Sequence, residues 1–125
     1  MIDKRVKKYC KTVSVLGQKY KITFKTETED ADLTGRFGYI QHSSKEITMN
    51  DLYNNPAWAR DSDIEMDFRI RETLRHEILH AFFFESGLEA NSSDVSGWAK
   101  NEEMVDWFAL QSPKIFKVYK ELKCL

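Results

Sequence analysis

An α+β domain is expected, because β-rich runs fill the first half and the second half reads as helices, opening with a long amphipathic stretch free of Pro and Gly from about Ser62 to Ser86. A third observation lies inside that stretch: His76-Glu77-Ile78-Leu79-His80 places two histidines one helical turn apart. At 125 residues the chain is near the commonest domain size, so residues 1–125 are read as one unit with any site built from a single core and its edges.

The elements follow in order. Lys4, Arg5, Lys7, Lys8 and Lys11 form a local basic cluster, read as a solvated terminal strand or arm, with a binding patch as the alternative. Val13-Ser14-Val15 and the alternating run Tyr20-Lys21-Ile22-Thr23-Phe24 read as strands, and Gly17-Gln18 between them predicts a hairpin. A second pairing is expected between Gly38-Tyr39-Ile40-Gln41 and Glu46-Ile47-Thr48-Met49, which flank the turn-like Ser43-Ser44. The acidic stretch from Glu27 to Asp32, closed by Thr34-Gly35, is the loop between the hairpins.

From about Ser62 to Ser86 the pattern is helical. Ser62 or Asp61 can cap the start, and Gly87 stands where a helix ends in the left-handed conformation. Ile70, Leu74, Ile78 and Ala81 mark a buried face. Phe82, Phe83 and Phe84 step about 100° each, which predicts that this end of the helix is enclosed on nearly all sides. A polar loop is expected from Gly87 to Gly97, then a helix from about Trp98 to Leu110, and a last helix beginning at Ser112-Pro113.

Composition narrows the function classes. A net charge of -1 supplies no general field for nucleic acid or an anionic membrane. The opening MIDKRVKKYC has no apolar h-region, and no run approaches the roughly 18 apolar residues of a membrane span, so a cytoplasmic protein is expected. Cys10 and Cys124 have no CxxC spacing and read as reduced, incidental thiols, the alternative being a bridge between the termini.

The chemistry rests on the histidine pair. Residues four apart on a helix share a face, about 6 Å apart at Cβ, so the His76 and His80 imidazoles can converge on one metal ion. Glu77 is offset by about 100°, beside the metal and within reach of a water on it, as a general base requires. In a shuffled chain of this composition the HExxH pattern would arise roughly 0.006 times, and here it falls on a predicted helix whose other face is apolar. Catalytic zinc usually takes three protein ligands and a water. Candidates for the third are Glu85, Glu89, Asp94, Glu102, Glu103 and Asp106; the first two are too near along the chain to fold back easily. Glu102 and Asp106 are four apart on the next helix, so one can bind the metal while the other accepts the free N–H of a ligand imidazole.

At this point the chain resembles the gluzincin metallopeptidases, through His76-Glu77-x-x-His80 followed on a second helix by Asn101-Glu102-x-x-x-Asp106. The string Glu102-x-x-x-Asp106-x-Phe108-Ala109 is similar to the segment carried by the ImmA/IrrE-type peptidases of phages and mobile elements, and the short domain is similar to minigluzincins. The resemblance implies Zn²⁺ on His76, His80 and Glu102, Glu77 as base, a supporting role for Asp106 behind the ligands, and a small antiparallel sheet packed on a central active-site helix. It covers about residues 70 to 110. Many such proteins accompany a helix-turn-helix repressor; no segment here is left over for one, so a repressor or regulator substrate is expected to be a separate protein.

For the oxyanion, Tyr39, His42, Tyr53 and Tyr119 are the candidates, each of which also reads as a packing or surface residue. Segment 46–49 or 38–41 is expected as the sheet edge that binds an extended peptide by strand addition. Trp98, Trp107 and Phe108 read as core. The leading expectation is therefore a zinc-dependent metallopeptidase acting on a protein or peptide, with neither nucleic acid nor membrane as partner. The alternative is a catalytically silent metal-binding regulator that docks to a partner. A zinc-structured nucleic-acid binder fits less well, because structural zinc normally takes four Cys or His ligands.

Overall fold

The computed structural model describes residues 1–91 and 102–125, the side chains at 91, 102, 103, 105, 106 and 109 excepted. The first segment is not a free arm. Lys4–Tyr9 forms a 3₁₀ helix capped by Asp3, whose carboxylate accepts from the Arg5 N–H. Val6 and Tyr9 are buried. Side chains three apart eclipse in a 3₁₀ turn, so one apolar edge anchors the segment while its lysines stay in water.

Strands β1 (Thr12–Val15) and β2 (Gln18–Lys25) form the expected antiparallel hairpin. The two-residue turn is Leu16-Gly17, one position earlier than the sequence suggests, with φ of 49° and 86°. Positive φ at both positions is what the strand twist demands of so tight a loop. Strands β3 (Gly38–Gln41) and β4 (Glu46–Asn50) also pair antiparallel, with Gly38 opposite Met49 and Ile40 opposite Ile47.

The two hairpins join in a way that corrects the expected antiparallel sheet. Strand order is β1-β2-β4-β3, and β2 runs parallel to β4, with Ile22 opposite Ile47 and Phe24 opposite Met49. The chain leaving β2 crosses to the outside, forms β3 at the edge, and returns as β4 into the gap. β4 can occupy the middle because Ile47, Thr48, Met49 and Asn50 are all buried, whereas β3 is half-exposed. Inside the crossing, the Asn50 amide donates to the Arg36 carbonyl and to Glu27 Oε1, tying the loop to the end of β4.

Helix α1 (Asp63–Glu85) packs on β1, β3 and β4. The Glu65 N–H donates to Ser62 Oγ at the N-cap, and Gly87 follows the helix at φ 81°, both as expected. Its buried face contains Ile70, Leu74, Ile78 and Ala81, and also Thr73 and Glu77. The expected enclosure of the phenylalanines holds for Phe82, which is buried, but Phe84 is exposed. Sheet and α3 cover only part of the helix circumference there.

Beyond Gly87, where a loop is expected, Leu88–Asn91 forms the short helix α2. Trp98 and the rest of the expected loop up to Gly97 lie outside the described residues. Two helices were expected after it; instead α3 runs unbroken from Glu102 to Leu122 with Pro113 inside. Proline removes one helical hydrogen bond and strains the preceding turn. Burial of Ile115, Val118, Tyr119 and Leu122 offsets that loss, because the stripe stays in register only if the helix continues. Tyr119 Oη donates to the Arg75 carbonyl, and Arg75 Nη1 donates to the Cys124 carbonyl, fastening the C-terminal end to α1. Cys10 and Cys124 are both free thiols. Among the described residues no helix is long and apolar enough to cross a membrane.

Candidate functional site

His76 and His80 lie on the half of α1 not used by the core, and the helical repeat brings their Nε2 atoms to 3.1 Å, with ring planes at 77°. Zinc–imidazole bonds are about 2.0–2.1 Å, so that separation subtends about 98° at an ion equidistant from both nitrogens, close to a tetrahedral angle. The pair therefore fits two ligands of a zinc ion.

Glu77 faces the opposite way in the burial pattern. Its side chain is 8% exposed, with Oε1 4.0 Å from His76 Nε2. Burial pushes its carboxyl above the ordinary carboxylate range, and charge on His76 and His80 opposes the shift. A carboxylate made more basic and lying within side-chain contact of His76 has the chemistry of a general base.

Beside the pair opens a cleft of about 250 Å³. Its α1 wall is Arg69, Glu72, Thr73, His76 and Glu77, and its sheet wall is Phe37 and Gly38 at the start of β3. Gly38 sets the width: a Cβ there would stand 2.9 Å from Met49 Sδ, 3.1 Å from the Thr48 carbonyl oxygen and 3.3 Å from Thr73 Cγ2. Sequence reading missed this lining. The α1 part was within reach, since 69, 72 and 73 extend the His76 face backwards at helical spacing, but nothing local to Phe37 and Gly38 signals α1 as their neighbour.

Strand order also resolves the edge. β4, which contains 46–49, lies inside the sheet, and β3, 38–41, is at the edge beside α1. Of the two segments expected at an edge, 38–41 is the one that lies there.

None of the four oxyanion candidates lines the cleft. Tyr39 Oη donates to Asp30 Oδ2 at 2.5 Å, Tyr53 lies 3.8 Å beneath the Arg5 guanidinium, and Tyr119 donates to Arg75. His42 is not simply solvent-facing: its ring stacks on Phe84 at 4.2 Å, with Nε2 3.6 Å from Glu89 Oε2.

The third ligand is bounded by what the neighbouring carboxylates already do. Glu85 accepts from Tyr20 Oη and Lys45 Nζ, and Glu89 faces His42, so both are engaged away from the pair. Asp94 and the side chains of Glu102, Glu103 and Asp106 lie outside the described residues. Among the described residues no group of three or more His, Cys, Asp or Glu is disposed to hold a metal ion. The helix bearing Glu102 and Asp106 does meet α1 here: Trp107 packs edge-on against Phe83 at 5.0 Å, and Phe83 is one turn past His80. Trp107 is thus half-buried in a contact between helices, whereas Phe108 is exposed and not the core residue expected.

No family model, curated protein or solved structure matches this chain.

Proposed function

We propose that this chain is a zinc-dependent metallopeptidase of the gluzincin type, with His76, His80 and Glu102 as metal ligands and Glu77 as general base. The observation that carries the proposal is the convergence of the two Nε2 atoms at 3.1 Å beside a buried carboxylate, at one end of a cleft. The same separation would also suit a hydrogen bond between two neutral rings, but that reading gives no role to the basic, buried Glu77 or to the cleft. The contact of Trp107 with Phe83 supports α3 as the source of the third ligand, since it brings that helix against the histidine-bearing part of α1.

Zinc, when bound, acidifies a water and polarises the scissile carbonyl. Glu77 takes the proton from the attacking water and delivers it to the departing amine. Asp106, on the helix that would supply Glu102, is the residue that would accept the outer N–H of a ligand imidazole and hold its tautomer. The edge of β3 pairs with the extended substrate backbone, so that main-chain hydrogen bonds position the peptide along the cleft. The substrate is a protein, in keeping with the ImmA/IrrE-like segment a separately encoded repressor or regulator.

Zinc content and peptide hydrolysis of the wild type, His80→Ala, Glu102→Ala and Glu77→Gln test this reading. One equivalent of zinc is expected in the wild type and in Glu77→Gln, with sharply weakened retention in the two ligand variants and hydrolysis by the wild type alone. Wild-type protein that binds no zinc, or Glu77→Gln that hydrolyses as fast as wild type, overturns it; biological activity retained in Glu77→Gln points to a docking protein.

A further inference from the structure

Arg69 stands at the far end of the cleft from the histidines. It is seven residues before His76 on the same α1 face, which is about 10 Å at 1.5 Å per residue. An extended peptide covers that distance in about three residues. The guanidinium is held in place from two sides. Its Cζ lies 5.0 Å from the centroid of the Phe37 ring, itself packed on Trp58 at 5.1 Å, and Nη1 reaches Glu72 Oε1 at 3.3 Å. That single long contact uses one of five N–H donors, and Glu72 is the one hydrogen-bond partner of the Arg69 side chain among the described residues. A planar fork braced by an aromatic ring, with most donors unused and opening on a cleft, is suited to a second carboxylate.

We infer that Arg69 is a specificity-determining residue that selects peptides with an Asp or Glu side chain about three residues from the scissile bond. The inference rests on the peptidase reading. β3 and α1 also indicate on which side. Gly38 lies beside Thr73 while His42 stacks on Phe84, so β3 runs in the same sense as α1. A substrate strand antiparallel to β3 then has its C-terminal part at Arg69, which places the acidic residue after the cleaved bond. Glu72 tempers the preference by competing for the same guanidinium.

The zinc-loaded full chain is incubated with a synthetic peptide pool of randomised sequence, and the products are sequenced by mass spectrometry. Wild type is expected to enrich Asp and Glu at one position on the C-terminal side of the cut. On the best acidic peptide Arg69→Ala is expected to lower kcat/KM about 10- to 100-fold, the range of a lost charge-assisted hydrogen bond, and to lower the matched Gln peptide by a clearly smaller factor, since only a neutral hydrogen bond is lost there. Arg69→Glu should invert the preference toward Lys and Arg, which a loss of structure would not do, and Glu72→Gln should sharpen the acidic preference. Arg69 is partly exposed, so its variants should still unfold in one cooperative transition, lowered by a few degrees at most for the lost contacts with Phe37 and Glu72. Cleavage with no acidic preference, or an unchanged preference in Arg69→Glu, overturns this inference alone. A zinc-loaded wild type that cleaves nothing in the pool overturns it together with the peptidase reading.

Discussion

Replacing Gly38 by Ala tests whether the close approach of β3 to α1 builds the cleft. The added methyl meets Met49 Sδ at 2.9 Å, the Thr48 carbonyl oxygen at 3.1 Å and Thr73 Cγ2 at 3.3 Å. Ordinary carbon contacts begin near 3.5 Å, so something must move by roughly half an ångström. Met49 is 0% exposed and Thr48 presents backbone, so neither has free space to yield into. The start of β3 must shift from its place between β4 and α1. Overpacking of this kind costs about 1–3 kcal/mol. With about 2.1 cal/mol/K of unfolding entropy per residue, a chain of 125 residues loses roughly 4–11 °C of Tm. The φ of Gly38 is not in the left-handed region, so the whole effect is steric. Urea unfolding and a thermal melt measure it; zinc affinity should be nearly unchanged, because His76 and His80 sit on α1 and not on β3. A loss below about 0.5 kcal/mol would show that the neighbours of Gly38 on β4 and α1 give way more readily than these distances require, and would undo the account of the cleft width.

Zinc at about one hundred times its dissociation constant should stabilise the fold by about 2.7 kcal/mol, or roughly 10 °C, an increment that a chelator removes and that His80→Ala lacks in a thermal melt. Asp3 has its carboxyl held down to about 2 by the Arg5 guanidinium and N–H, below its ordinary 3.8. Its contribution is therefore complete above about pH 4 and lost as pH falls toward 2; solvent screening keeps it small, and Asp3→Asn should flatten that part of a stability profile taken by urea unfolding. Leu16 sits at φ 49° in the β1-β2 turn, so Leu16→Asn should stabilise by up to about 1 kcal/mol, raising the urea midpoint without changing the slope.

Much of this protein is legible at short range. The two hairpins follow from alternating runs on either side of turn residues, α1 from its Ser62 cap and the Ile70, Leu74, Ile78, Ala81 stripe. The proximity of His76 and His80 follows from the helical repeat alone, since any α-helix through them sets their side chains on one face. The expectations that the structure changed are ones that needed a partner from elsewhere in the chain. Ser112-Pro113 carries every local mark of a helix start, yet α3 continues through it because Ile115, Val118, Tyr119 and Leu122 have a surface to bury against. The basic N-terminal segment reads as a free arm until Val6 and Tyr9 find the core.

Local residue order was thus enough to specify each hairpin, α1 and the His76–His80 pair, because turns and helical faces are set by contacts within a few positions. Assembly of the hairpins, with β4 inserted parallel to β2 and β3 left at the edge, depended on burial that no single segment encodes. The cleft arises at that level too: Gly38 and Thr73, thirty-five positions apart, meet because β3 and α1 pack together, and Phe37, Arg69 and Glu77 come to one place as a consequence.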